Sequence, residues 1–183
     1  MRVPVLMPHQ RNNFELVKKS NHKIDLIKLT ADIKNLTVSL HKTYNQLSLQ
    51  MKKDAKDPWY ESCGSFELSK PEKDYNLIIP ELKGTYIEEM FESLPFKPIR
   101  SRLMKLNPKS CYSIHEDPDA RYHIAILTNP KAKFVFTKKE KLFHIPADEH
   151  LYWVDTREEH TFINGSLDSS RLHLIMGYDN DIL

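Results

Sequence analysis

The sequence predicts a mainly β protein with flanking helices, its second half rolled into a jelly-roll or cupin-like double sheet. Three observations carry that reading. After Ile99 the chain breaks into short alternating segments at residues 102–106, 111–115, 121–128, 133–137, 141–145, 151–154, 160–164 and 171–178. Turn formers separate them, among them Asn107-Pro108, Asp117-Pro118, Asn129-Pro130, Ile145-Pro146 and Asn164-Gly165. Short strands at such spacing close into double sheets whose interior can house a small ligand or a metal. Third, two of these strands have contrasting faces. Arg121, His123 and Ala125 oppose Tyr122, Ile124 and Ile126, while Arg171, His173, Ile175 and Gly177 oppose Leu172, Leu174 and Met176. Each strand thus has one apolar side and one side that begins Arg-x-His.

Before that core the texture differs. Residues 1–22 show no sustained period and read as extended or loose, with His9 and His22 at the surface. From Ile24 to Leu40 the apolar residues Ile27, Ala31, Leu36 and Leu40, with Leu26, Leu29 and Ile33 between them, fit a helix packed on one side. Tyr44 to Met51 alternates Leu47, Leu49 and Met51 with polar neighbours and reads as a strand. Residues 52–76 form a charged loop around Trp59 and Tyr60, a pair that either covers an edge of the core or lines a substrate wall. Gly84 to Leu94 spaces Ile87, Met90, Phe91 and Leu94 as a helix, which Pro95 and Pro98 stop. That helix is expected on the outside of a sheet.

At 183 residues and 21.6 kDa, the chain suits one domain, with residues 1–98 packing on a core formed by 99–183. Its charged content of 28% and net charge of +2 lack the one-sided field of a nucleic-acid binder, so no nucleic acid is expected as partner. Lys131, Lys133, Lys138, Lys139 and Lys141 read as a solvated hairpin whose edge lysines discourage strand pairing. No apolar run reaches membrane-spanning length, the amino terminus is not a convincing signal peptide, and Cys63 and Cys111 are too few for a disulfide scaffold. These point to a cytoplasmic protein with reduced thiols and no membrane partner; oligomeric state is not legible.

The segment CYSIHEDPDARYH, residues 111–123, carries the chemistry. An extended backbone turns His115 and Asp117 to the same face. A third nitrogen donor would complete the two-histidine, one-carboxylate face that holds Fe(II) with open positions for substrate and dioxygen. The candidate is His160, in YWVDTREEHTFIN, followed by Arg171 in RLHLIMGY. Arginine presents a planar fork that takes a carboxylate bidentately. A blander account stands beside this one. His-x-Asp is short, the chain has nine histidines, and Arg121, His123 and His173 fit solvent-facing strand positions equally well. The same three ligands would also serve a non-catalytic cupin-like module that binds a metal or small acid.

The elements HEDPDARYHIAILTNP, YWVDTREEHTFINGS and RLHLIMGY, within residues 102–178, resemble the aspartyl/asparaginyl β-hydroxylase family of Fe(II)- and 2-oxoglutarate-dependent dioxygenases. PELKGTYIEEMFESL and YNQLSLQ look like the helix and leading strand that precede the core in its viral and bacterial members. The resemblance implies a double-stranded β-helix with His115, Asp117 and His160 as iron ligands and catalytic centre. It implies Arg171 on the distal carboxylate of 2-oxoglutarate, and Arg121 and His123 beside cosubstrate or substrate. It further implies dioxygen as oxidant, succinate and carbon dioxide as products, and a small-molecule or peptide substrate hydroxylated on an amino-acid side chain. Asp117 matches the members with a complete triad. Met104 stands where some members have a small hydroxyl residue that helps hold 2-oxoglutarate.

Overall fold

A computed structural model describes residues 15–64 and 71–179; His9 lies outside them. Its strands are β1 (Val17–Lys23), β2 (Gln46–Ser48), β3 (Gln50–Met51), β4 (Leu77–Ile78), β5 (Pro98–Leu106), β6 (Ser110–Cys111), β7 (Arg121–Leu127), β8 (Ala132–Phe136), β9 (Lys141–Phe143), β10 (His150–Val154), β11 (His160–Asn164) and β12 (Arg171–Tyr178). Two helices, α1 (Leu26–Asn35) and α2 (Tyr86–Ser93), precede the core. The major sheet runs β1-β10-β7-β12-β5-β2 and the minor sheet β6-β11-β8-β9, antiparallel throughout.

Strand alternation divides the apolar residues of the major sheet between two cores. On the outer side, Leu47, Leu103, Ile124, Leu151, Leu174 and Met176 pack against Leu29 of α1 and Ile87, Met90 and Phe91 of α2. On the inner side, Leu106, Ala125, Tyr152 and Val154 meet Ala132, Phe134, Phe136 and Phe162 of the minor sheet. The inner face of the major sheet also carries Arg102, Arg121, His123, Arg171 and His173, all buried. These strands therefore face no solvent on their polar side. The side chains that alternation alone would have shown to water instead point into the space between the sheets.

Several boundaries moved, the strand expected over Tyr44–Met51 splitting into β2 and β3 of separate sheets, and four further changes have a local reason. The segment expected to be loose contributes β1, an edge strand bearing Lys18, Lys19 and Lys23; its pairing with β10 (Val17↔Val154, Lys19↔Tyr152) leaves no apolar period in its own sequence. Helix α1 starts where the Asp25 carboxylate accepts from the Ile27 and Lys28 amides, and it ends ahead of Leu36, which is extended at φ −63°, ψ 128°. Val38 and Leu40 still pack on the outer core, as non-helical chain. The strand expected from residue 102 begins at Pro98, since an amide-free first residue costs no ladder bond. The strand expected over 111–115 reduces to β6 and one isolated bridge at His115. Trp59 and Tyr60 cover the outer core, Tyr60 donating its hydroxyl to Ser39 O at 2.7 Å, so they do not reach the space between the sheets. Among the described residues no helix is long and apolar enough to cross a membrane.

Candidate active site

His160 opens β11, and His115 faces it across the isolated antiparallel bridge. The His115 amide donates to His160 O at 3.0 Å and the His160 amide returns the bond at 2.9 Å. Directly opposed residues share a sheet face, so the two imidazoles meet with ring centroids 4.5 Å apart. Each Nδ1 lies against the carbonyl two residues earlier, Ser113 O at 2.7 Å for His115 and Glu158 O at 2.9 Å for His160. A carbonyl can only accept, so Nδ1 carries the proton in both rings and Nε2 keeps its lone pair. The backbone has thereby set the tautomer that a metal ligand requires.

The turn that follows carries Asp117 to the same place. Its amide donates to Thr156 O at 2.8 Å, and its Oδ1 lies 3.9 Å from His115 Nε2. Ligand atoms of His115, Asp117 and His160 lie within 4.8 Å of one another, and among the described residues they are the one group of this kind. The cluster sits at a mouth, with His115 exposed, Asp117 half-buried and His160 buried. Burial lowers the His160 pKa against the opposing pull of the Glu158 carbonyl, which keeps the imidazole neutral and able to coordinate.

Deeper in, Arg171 is 1% exposed, and its guanidinium carbon stands 3.9 Å over the Phe162 ring. Its Nη2 donates to His173 Nδ1 at 2.6 Å, which leaves the His173 proton on Nε2. Arg171 Nε and Nη1, His173 Nε2 and both His123 ring nitrogens are buried with no hydrogen-bond partner. No carboxylate of the described residues pairs with Arg171, and burial pulls its pKa down to about 9. Burial, reinforced by the Arg171 charge, also holds His123 and His173 well below the usual imidazole value. A forked cation with two donors free of hydrogen bonds, beside neutral imidazoles, has the shape and charge that match the two oxygens of a carboxylate.

Arg121 and His123 come to rest in different surroundings. The His123 ring lies 5.1 Å from Phe134 and 5.9 Å from His173, among the aromatic rings that also surround His160. Arg121 turns the other way: its Nη1 and Nη2 donate to Glu72 at 2.5 and 2.8 Å, and its Nε lies 3.5 Å from Asp117 Oδ2. The same Glu72 carboxylate, in the 3₁₀ turn Glu72–Asp74, also accepts from Arg100. Opposite Ile175 and Gly177, β5 carries an extra residue, and Arg100 within this bulge has a left-handed backbone at φ 46°. Gly177 leaves room for the guanidinium, because a Cβ there would stand 2.9 Å from Arg121 Nη1.

Glu72 and Arg102 were not among the sequence candidates, and His173 was noted only as part of an Arg-x-His strand face, with no role assigned. The alternation Arg100-x-Arg102 in a strand and Arg171-x-His173 offered a signal; Glu72, alone in a charged loop, offered none. Met104 pairs with His173 across β5 and β12, so it borders the Arg171 end of the space between the sheets.

No family model matches the chain, and no curated protein does. Solved structures do. An oxidoreductase of the 2OG-Fe(II) oxygenase family from Burkholderia pseudomallei is similar at 15% identity and a TM-score of 0.50, over 84% of this chain and 77% of that one. A viral collagen prolyl hydroxylase from Paramecium Bursaria Chlorella virus-1, solved with 2OG, is similar at 11% identity and a TM-score of 0.46, over 88% and 94% of the two chains. At such identity the first likeness is one of fold: the two sheets are the double-stranded β-helix that the sequence led us to expect.

Proposed function

We propose that the chain is an Fe(II)- and 2-oxoglutarate-dependent oxygenase of the aspartyl/asparaginyl β-hydroxylase type, which hydroxylates an amino-acid side chain, free or in a peptide. One observation supports this above the rest. A three-donor cluster with its imidazole tautomers already set stands at the mouth of the double sheet whose interior holds a buried arginine that pairs with no carboxylate of the described residues. Three protein donors suit an open, catalytic site better than a closed structural one.

In this reading His115 Nε2, His160 Nε2 and the Asp117 carboxylate hold the iron, and Arg121 Nε steadies the far oxygen of Asp117. Arg171 Nε and Nη1 take the distal carboxylate of 2-oxoglutarate, with the His173 Nε2 proton as an additional donor. Phe134, Phe136 and Phe162 keep water from the space between the Arg171 end and His160. When bound, iron and cosubstrate supply the oxidation, dioxygen and 2-oxoglutarate being consumed to give hydroxylated substrate, succinate and carbon dioxide.

Anaerobic addition of Fe(II) and then 2-oxoglutarate should develop a visible metal-to-ligand charge-transfer band, which Asp117→Ala weakens and Arg171→Leu shifts to much higher 2-oxoglutarate concentration. Folded chain that gives no such band, or that binds zinc with indifference to 2-oxoglutarate, would instead establish the non-catalytic module.

A further inference from the structure

The inner face of the major sheet carries a second guanidinium that pairs with no carboxylate of the described residues. Arg102 is buried, and its Nη1 donates only to neutral oxygens: Gln46 Oε1 at 2.9 Å, with Ser62 O and Gly64 O at 3.4 Å. Its Nε has no acceptor. No carboxylate of the described residues pairs with it, and burial, together with the neighbouring Arg100 and Arg121 charges, pulls its pKa down to about 9. Beside it, Arg100 and Arg121 both contact the Glu72 carboxylate, and Arg121 also lies against Asp117. A buried cation without a counter-charge is costly, and truly satisfying it takes an anion.

Its position says which anion. Arg102 lies opposite Ile175, and Ile175 lies opposite His123, so Arg102 and His123 stand two strand spacings apart on one face, roughly 10 Å. Arg121 links the cluster directly to Asp117. Arg171 lies toward the other end of the same face, four residues from Ile175 along β12. The proposed iron ligands are thus flanked by two basic seats: Arg171 for the cosubstrate and a second seat at Arg100, Arg102 and Arg121. Glu72 already lies against Arg100 and Arg121 of this second seat, delivered by a turn that is itself bonded to the β5 bulge through Arg100 N–H and Tyr75 O at 2.7 Å.

We propose that this second seat binds a carboxylate of the substrate, that Glu72 occupies the place of that carboxylate until substrate arrives, and that the substrate is therefore a small organic acid such as a free amino acid. The substrate assignment rests on the oxygenase reading; the existence of the carboxylate seat does not. Because Arg102, like Arg100 and Arg121, is buried, a small free acid fits this seat more readily than a residue on a folded protein surface, which would have to carry its backbone in as well.

Two measurements on the full chain separate these parts. In Glu72→Ala, at constant ionic strength with chloride as the balancing ion, acetate should raise the melting temperature saturably while acetamide does not; adding Arg102→Gln should abolish the gain. Acetate and acetamide acting alike, or an acetate effect indifferent to Arg102→Gln, overturns the seat. With the wild-type chain, succinate release should be stimulated by free amino acids. Converting the α-carboxylate of an active one to its amide should raise KM about tenfold or more, the loss of one charged hydrogen bond. Arg102→Gln should raise KM for the acid without raising it for the amide. An amide or a blocked peptide turned over as well as the free acid overturns the substrate assignment. If acetate rescues Glu72→Ala but no 2-oxoglutarate is consumed, the seat stands and the oxygenase reading falls.

Discussion

Glu72 is the residue on which most of the charge between the sheets depends, because it alone among the described carboxylates contacts both Arg100 and Arg121. Burial raises its pKa, but the two guanidinium groups outweigh this and leave it below the ordinary glutamate value of 4.5. A depressed folded pKa contributes stability that is complete above the unfolded value and disappears as pH falls through the folded one. Wild type should therefore exceed Glu72→Gln in stability at neutral pH, and urea melts should show the difference shrinking below about pH 4.5 toward nothing. A gap that stays constant into acid would mean that the carboxylate charge is not what the two arginines recognise. Single residues also account for what sequence could and could not reveal. The convergence of His115, Asp117 and His160 was legible because metal chemistry restricts the residue types and, for His-x-Asp, their spacing. Glu72 was not, since a lone carboxylate 49 residues from its partner Arg121 has no pattern to betray it.

At the scale of elements, three adjacent strands cooperate to place one guanidinium. β7 supplies Arg121, β12 supplies the gap at Gly177, and the bulge in β5 lets Ile99 and Arg100 close around it. An alanine Cβ at residue 177 would stand 2.9 Å from Arg121 Nη1, 3.0 Å from Ile99 Cγ1 and 3.3 Å from Ile99 O. Arg121 is pinned by Glu72 and Ile99 O is backbone, so neither yields freely. Gly177→Ala should cost about 1–3 kcal/mol in denaturant melts and also weaken Mn(II) binding through the loosened Arg121–Asp117 contact. Loss of stability with metal affinity untouched would detach Arg121 from the ligand. The strands themselves were largely readable, because period-2 alternation and Pro or Gly punctuation are local signals. The bulge was not: an extra residue in β5 is defined only against its partner β12. Nor was β1, whose place at the sheet edge comes from pairing with β10 rather than from its own apolar content.

For the molecule as a whole, the design is a sheet with one apolar face under two helices and one face that mixes aromatic rings with arginine and histidine. Alternation made both faces visible in the sequence, yet it assigned the polar one to solvent as readily as to an interior. What decided the matter was the second sheet, whose Phe134, Phe136 and Phe162 cover that face. Covering it strips water from Arg171, which adds a folded-state cost; in the proposed function a bound acid would remove it. Two opposite responses to one substitution follow. Without 2-oxoglutarate, Arg171→Leu should melt at the same temperature as wild type or higher, because an apolar side chain replaces a buried cation that pairs with no carboxylate of the described residues. With Mn(II) and 2-oxoglutarate at about a hundred times the dissociation constant, wild type should gain about 2.7 kcal/mol and overtake the variant, which gains nothing from the acid. Calorimetric scans of both proteins, with and without the acid, read this crossing directly. A variant already less stable in its absence would show that Arg171 stabilises the fold rather than waiting for a ligand.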